Sequence, residues 1–160
     1  MNITTLIAQH LIEVHEGGNW TEIDIASTLK DVLLQEAIMR TAATPNTIAA
    51  LLHHITFWNR EVMQRAKGIT VEIDEANGFN HPTLNTEMDW QHLKEDNMLS
   101  AHELADAIKQ FGEDKLFEPM QVHSSSAYKN FQGAVEHAHY HLGQIVILKK
   151  LLRNLHASTL

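Results

Sequence analysis

The residues in this sequence best suited to chemistry are its histidines. There are 12 in 160 residues, spread from His10 to His156. Three alternate in the stretch EHAHYHLGQI, Glu136 to Ile145, just before a Gly-Gln pair. On a strand, His137, His139 and His141 would share one face; on a helix, His139 turns away and leaves His137 and His141 one turn apart. The flanks decide for helix, because Ala134, His137, Ala138, His141, Ile145, Leu148 and Leu152 form one row at spacings of three and four. Two imidazoles at i and i+4 can converge on a single ion, which is how a helical H-x-x-x-H pair binds zinc and other divalent metals. The zincin pattern is excluded, since Ala138 rather than Glu follows His137. In a chain this rich in His, such a pair also arises by chance.

A third ligand must come from another helix, and the adjacent pair His53-His54 offers one. If Ile48, Leu51, Leu52, Ile55, Trp58 and Val62 form the apolar face, His54 lies about 95° from its centre and His53 about 165° away, at about 100° per residue. His54 can lean inward and His53 cannot, although His54 also suits an amphipathic boundary. His10 falls beside Leu6 and Val14 on the stripe of the first helix, as a fourth ligand, a hydrogen-bond partner to a ligand or, most simply, a satisfied core histidine. His92 and His102 lie off the Trp90–Leu104 stripe and read as surface. Ordinary polar roles suffice for His15, His81, His123 and His156 at helix ends or in loops.

Four helical segments must position these rings. The first runs from about Ile3 to His15 and stops at Gly17-Gly18; a shorter turn around Ser27–Leu34 fits the connection. The second opens at TPNT, where Thr44 can cap and Pro45 suits the first turn, and runs to Gly68. The third starts near Thr86, whose spacing to Asp89 resembles a capping box, and carries Trp90, Leu93, Asn97, Ala101, Leu104, Ile108 and Phe111 before Gly112. The fourth spans about Ala127 to Leu155. The simplest packing is an all-α four-helix bundle, one domain over residues 1–160. Residues 68–85, GITVEIDEANGFNHPTLN, are long for a bundle connection and suit a functional crossover or lid.

Composition removes several function classes. A formal charge of -8 with no Lys/Arg-rich run disfavours a nucleic-acid partner. With no cysteine, neither a disulfide framework nor a protein thiol nucleophile is possible. No signal peptide or membrane-length apolar run is visible, so a soluble cytoplasmic protein with no membrane partner is expected.

These residues resemble a known family. AVEHAHYHLGQIVILKK is similar to the last-helix signature of the DinB/YfiT-like superfamily, H-x-x-Y-H-x-G-Q, carried here by His137, Tyr140, His141, Gly143 and Gln144. TIAALLHHITFWNREVMQRAKG resembles its second-helix motif, with His54 before Ile55 in the place of a further metal histidine. GGNW at Gly17 to Trp20 and W-x-x-L at Trp90 to Leu93 fit the layout. The likeness follows nearly the whole chain in element order, but only the two histidine segments are specific. It implies a DinB-like four-helix bundle, commonly homodimeric, with a divalent metal, nickel or zinc, held by His54, His137 and His141.

Three imidazoles leave a divalent ion with open positions, as in catalytic sites, where it can acidify water or an incoming thiol. Some members of the family transfer low-molecular-weight thiols such as bacillithiol to electrophiles, and mycothiol-dependent isomerases share the fold. The expectation is therefore a metal-dependent thiol S-transferase acting in stress or detoxification on a small electrophile. The absence of Cys is consistent with an external thiol. A metal-dependent hydrolase is the enzymatic alternative, although neither Glu136 nor Glu103 has a clear path to the site as a base. The non-catalytic alternative is a stress-associated metal-binding homodimer, which His10 as a fourth ligand would favour. A bis-histidine haem bundle fits less well, since two histidines on one helix do not straddle a porphyrin.

Overall fold

The computed structural model describes residues 2–121 and 124–157, with side chains as far as Asn154. His123 lies outside these residues, as does the side chain of His156. Six α-helices and one 3-10 turn at Glu113–Lys115 occur among the described residues: α1 (Ile3–Glu16), α2 (Ile25–Leu29), α3 (Leu34–Ile38), α4 (Ile48–Ala66), α5 (Glu87–Gln110) and α6 (Ala127–Ala157). The four long helices make the core, as the periodicity implies. The single short turn expected near Ser27–Leu34 is instead two five-residue helices. Asp24 caps the first, accepting the Ser27 N–H at 2.7 Å. At the second, the Glu36 carboxylate accepts the Leu33 N–H at 3.2 Å. Both stay folded by burying Ile25, Leu29, Leu34 and Ala37 against the bundle, because five residues are too few for an isolated helix.

Local chemistry sets the long helices. At α5 the capping box forms as expected, with Thr86 Oγ1 accepting the Asp89 N–H at 3.2 Å and Asp89 accepting the Thr86 N–H at 2.8 Å. The start of α4 falls later than the TPNT reading. Thr47 is the cap, accepting the Ala50 N–H at 3.1 Å, while Thr44 makes a local turn with the Asn46 N–H.

Cross-helix contacts fix the directions. Asn97 Nδ2 donates to Thr56 Oγ1 at 3.0 Å and Asn59 Nδ2 to Ser100 Oγ at 3.1 Å, so α4 and α5 ascend together. Glu16 at the end of α1 meets His102, and Ile3 at its start meets Glu113 beyond the end of α5, so α1 runs antiparallel to α5. Residues 67–86 must therefore return along the bundle before α5 can start beside the beginning of α4. This is the long crossover. Trp90, fully buried, donates its indole N–H to Val32 O at 2.8 Å and ties the start of α5 to the α2–α3 connection. No helix among the described residues is long and apolar enough to cross a membrane.

The inward face of α1 differs from its sequence stripe. Thr4, Ile7, Ala8, Leu11, Val14 and His15 are buried, whereas Leu6 is 51% exposed and His10 is exposed. Because α1 lies against both α5 and α6, its buried arc is wide and includes Thr4 and His15, which hydropathy assigns outward. The core histidine of α1 is thus His15, and His10 is a surface residue near His139.

His15 donates Nδ1–H to Leu11 O at 2.8 Å, and burial lowers its pKa from 6.5 to about 4. As the pH falls, the unfolded chain takes up this proton first. Stability from keeping the ring neutral is full above pH 6.5 and is lost as the pH drops toward 4. The loss is about 2 to 3 kcal/mol between pH 7.5 and 4.5. Urea unfolding of wild type and His15→Met at these two pH values should show the variant less pH-sensitive by that amount. Equal sensitivity would remove His15 from the acid response.

Candidate metal centre

His54 arrives from the inner flank of α4, and His137 and His141 from successive turns of α6. Their candidate ligand nitrogens all lie within 4.8 Å of one another. His54 Nε2 and His137 Nε2 are 2.9 Å apart, and the ring centroids are 4.8 Å (His54–His137), 4.7 Å (His54–His141) and 4.5 Å (His137–His141) apart. His54 and His141 are buried and His137 is half-buried. Of the other histidines, His139 turns toward His10, His92 is exposed, His102 pairs with Glu16 at 2.6 Å, and His81 donates to Pro82 O. His53 faces the crossover and donates Nδ1–H to Gly78 O at 2.7 Å. Glu103 and Glu136 are exposed.

The surroundings fix the tautomers. His54 Nδ1–H donates to Asn77 O at 2.5 Å, which leaves Nε2 with its lone pair. His141 Nδ1–H donates to Gln144 Oε1 at 2.7 Å, with the same result. Outer hydrogen bonds of this kind orient metal-binding imidazoles. The facing His54 and His137 nitrogens can share either a proton or a cation; two bare lone pairs at this distance repel. The donor set therefore fits a divalent ion of the imidazole-preferring kind.

Burial keeps the rings uncharged. Desolvation lowers the His54 pKa to about 4, helped by His141 and His53, and lowers that of His137 to about 3, helped by His141 and His54. Desolvation also lowers the pKa of His141, against its hydrogen bond to Gln144. At neutral pH all three are unprotonated, the form in which imidazole binds metal.

The crossover supplies parts of the site that the histidine spacing did not reveal. Phe79 stacks on His54 with centroids 3.9 Å apart and planes 8° from parallel. Asn77 Oδ1 accepts the Trp58 indole N–H at 3.1 Å. The available signal was the Asn77-Gly78 turn dipeptide in an overlong connection.

The fold and site together define an all-helical protein with a buried histidine triad able to coordinate a divalent metal. The DinB superfamily model matches residues 10–145, and the chain belongs to that superfamily. No curated protein and no solved structure matches it.

The Gly143-Gln144 pair separates into two roles. Gln144→Leu removes the acceptor for His141 and should weaken metal binding roughly 10–100-fold, measured by competition with a chelator of known affinity. A Cβ at Gly143 meets nothing within 4 Å, so Gly143→Ala should stabilise α6 by about 0.5–1 kcal/mol in chemical unfolding, with metal affinity unchanged. A destabilised Gly143→Ala would show that the glycine has a packing role.

Proposed function

We propose that this chain is a DinB-type domain that binds a divalent ion, nickel or zinc, through His54, His137 and His141, and transfers a low-molecular-weight thiol to a small electrophile. The observation that carries this reading is the set of three neutral imidazoles, from two helices, beside a cavity that reaches His137. A divalent ion in this position supplies Lewis acidity, which lowers the pKa of a thiol reaching it. The protein's part is positioning. Asn77 and Gln144 hold two rings in the ligating tautomer, and Phe79 covers His54. The thiol proton leaves to solvent while the new S–C bond forms and the bond to the leaving group breaks.

His10 supports this reading over a closed structural site. It lies on the exposed face of α1 near His139, and the triad is a group of three among the described residues. A hydrolytic use of the same ion is the alternative, and the homodimer implied by the resemblance belongs to either reading. The test is a screen of several thiols against halogenated and epoxide electrophiles, with wild type and with the triple variant His54→Ala, His137→Ala, His141→Ala. Turnover that needs both thiol and triad supports transfer, and triad-dependent hydrolysis without thiol supports the alternative. No triad-dependent turnover would move the site to a non-catalytic role.

A further inference from the structure

The cavity between α4 and α6 says more about the ligand. It is an open cleft of about 290 Å³ that runs from His137 past Trp58, Val62 and Gly133 to Arg65 and Lys129. Its walls are mainly apolar, and its charged side chains are these two cations, with no carboxylate lining it. On a chain of net charge -8 this concentration of positive charge beside an apolar wall is unusual.

Arg65 lines the cavity with one of its donors unused. Its guanidinium carbon sits 5.3 Å from the Trp58 ring centroid, and its buried Nε has no acceptor among the described residues. Burial raises the pKa of Glu61, one turn earlier, and Arg65 opposes that shift, but among the described residues the two form no ion pair, and Glu61, whose Oε2 is itself buried without a partner, does not line the cavity. The Trp58 indole lies 6.1 Å from the His137 ring and is anchored by Asn77. One small molecule lying along the indole can therefore meet Arg65 at one end and the triad at the other.

The geometry points to a small organic acid as the ligand of this cavity, with its carboxylate on Arg65 and Lys129, its apolar body on Trp58 and Gly133, and its far end at His137. The assignment deepens the thiol-transfer reading and rests on it only for the thiol at that far end. A guanidinium is suited to the carboxylate because it donates two parallel N–H bonds to the two oxygens.

Phenylacetate, its amide phenylacetamide and 4-mercaptophenylacetate serve as probes, with binding read by calorimetry and by the change in tryptophan fluorescence in a Trp20→Phe background, where Trp58 lines the cavity and the remaining Trp90 is buried elsewhere. In the protein as purified, phenylacetate should bind about tenfold or more tighter than the amide. Arg65→Gln should abolish this preference, Arg65→Lys should restore part of it, and Lys129→Gln, at an exposed position, should reduce it without affecting folding. Gly133→Leu should block both probes, since a Cβ there meets open space. Equal binding of acid and amide by wild type overturns the assignment, as does an acid preference that survives both Arg65→Gln and Lys129→Gln. The acid–amide comparison is repeated after chelation and should not change. The mercapto acid should gain affinity over phenylacetate only with metal present. If that gain is absent while the Arg65-dependent preference stands, the carboxylate subsite is supported and the thiol reading fails.

Discussion

Purified without a histidine tag, the protein is expected to carry a stoichiometric divalent ion, and His137→Ala is expected to arrive essentially metal-free. His137 is the informative position because it is half-buried, so its loss disturbs packing less than loss of His54, which is buried and stacked on Phe79. It also removes one of two nitrogens that face each other at 2.9 Å, leaving His54 Nε2 and a single neighbour. A lost ligand should cost more than the roughly 10–100-fold typical of an outer hydrogen-bond partner. Mass spectrometric metal analysis of wild type, His137→Ala and a surface control, His92→Ala, gives the answer. Full metal content in His137→Ala would remove that residue from the ligand set. Equal loss in His92→Ala would mean that surface histidines had been picking up metal during purification.

The fold was readable where periodicity and caps agreed. The box at Thr86 and Asp89 and the row from Ala134 to Leu152 specify α5 and α6 locally, and the structure follows both. For the triad, helical geometry put two rings one turn apart on α6 and one on the flank of α4, but it was the family resemblance that selected these three, and the packing of α4 on α6 brings them together. The α1 face was misread for a tertiary reason. A helix touching two neighbours buries a wide arc, and His15 enters the core by bonding to Leu11 O, a compensation that hydropathy does not register. The crossover was the other gap. Its length marked it as functional, but nothing in its pattern shows that the Asn77 and Gly78 carbonyls meet His54 and His53. Those contacts depend on α4 and α5 running parallel, a property of the assembled bundle.

That dependence makes Gly78 a sensitive position outside the triad. Its φ is +74°, and a Cβ added there would lie 2.5 Å from Phe57 Cγ and 2.6 Å from Phe57 Cβ. Gly78→Ala must therefore lift the crossover from α4 or displace Phe57, and either movement pulls the Asn77 and Gly78 carbonyls from the two histidines. The expected result is destabilisation by about 2–4 kcal/mol, combining left-handed backbone strain with overpacking, and a roughly 10–100-fold loss of metal affinity. Gly68 provides the control. Its φ is +77°, but a Cβ there meets nothing within 4 Å, so Gly68→Ala should cost only the backbone strain, about 1–2 kcal/mol, with metal affinity intact. Adding Phe57→Ala to Gly78→Ala removes the clash and should recover metal affinity beyond what the single variants predict, a coupling that a double-mutant cycle measures. Gly78→Ala with the metal affinity of wild type would show that the crossover carbonyls do not orient the site, whereas equal stability losses at Gly68 and Gly78 would reduce the close approach of Gly78 to Phe57 to an incidental contact.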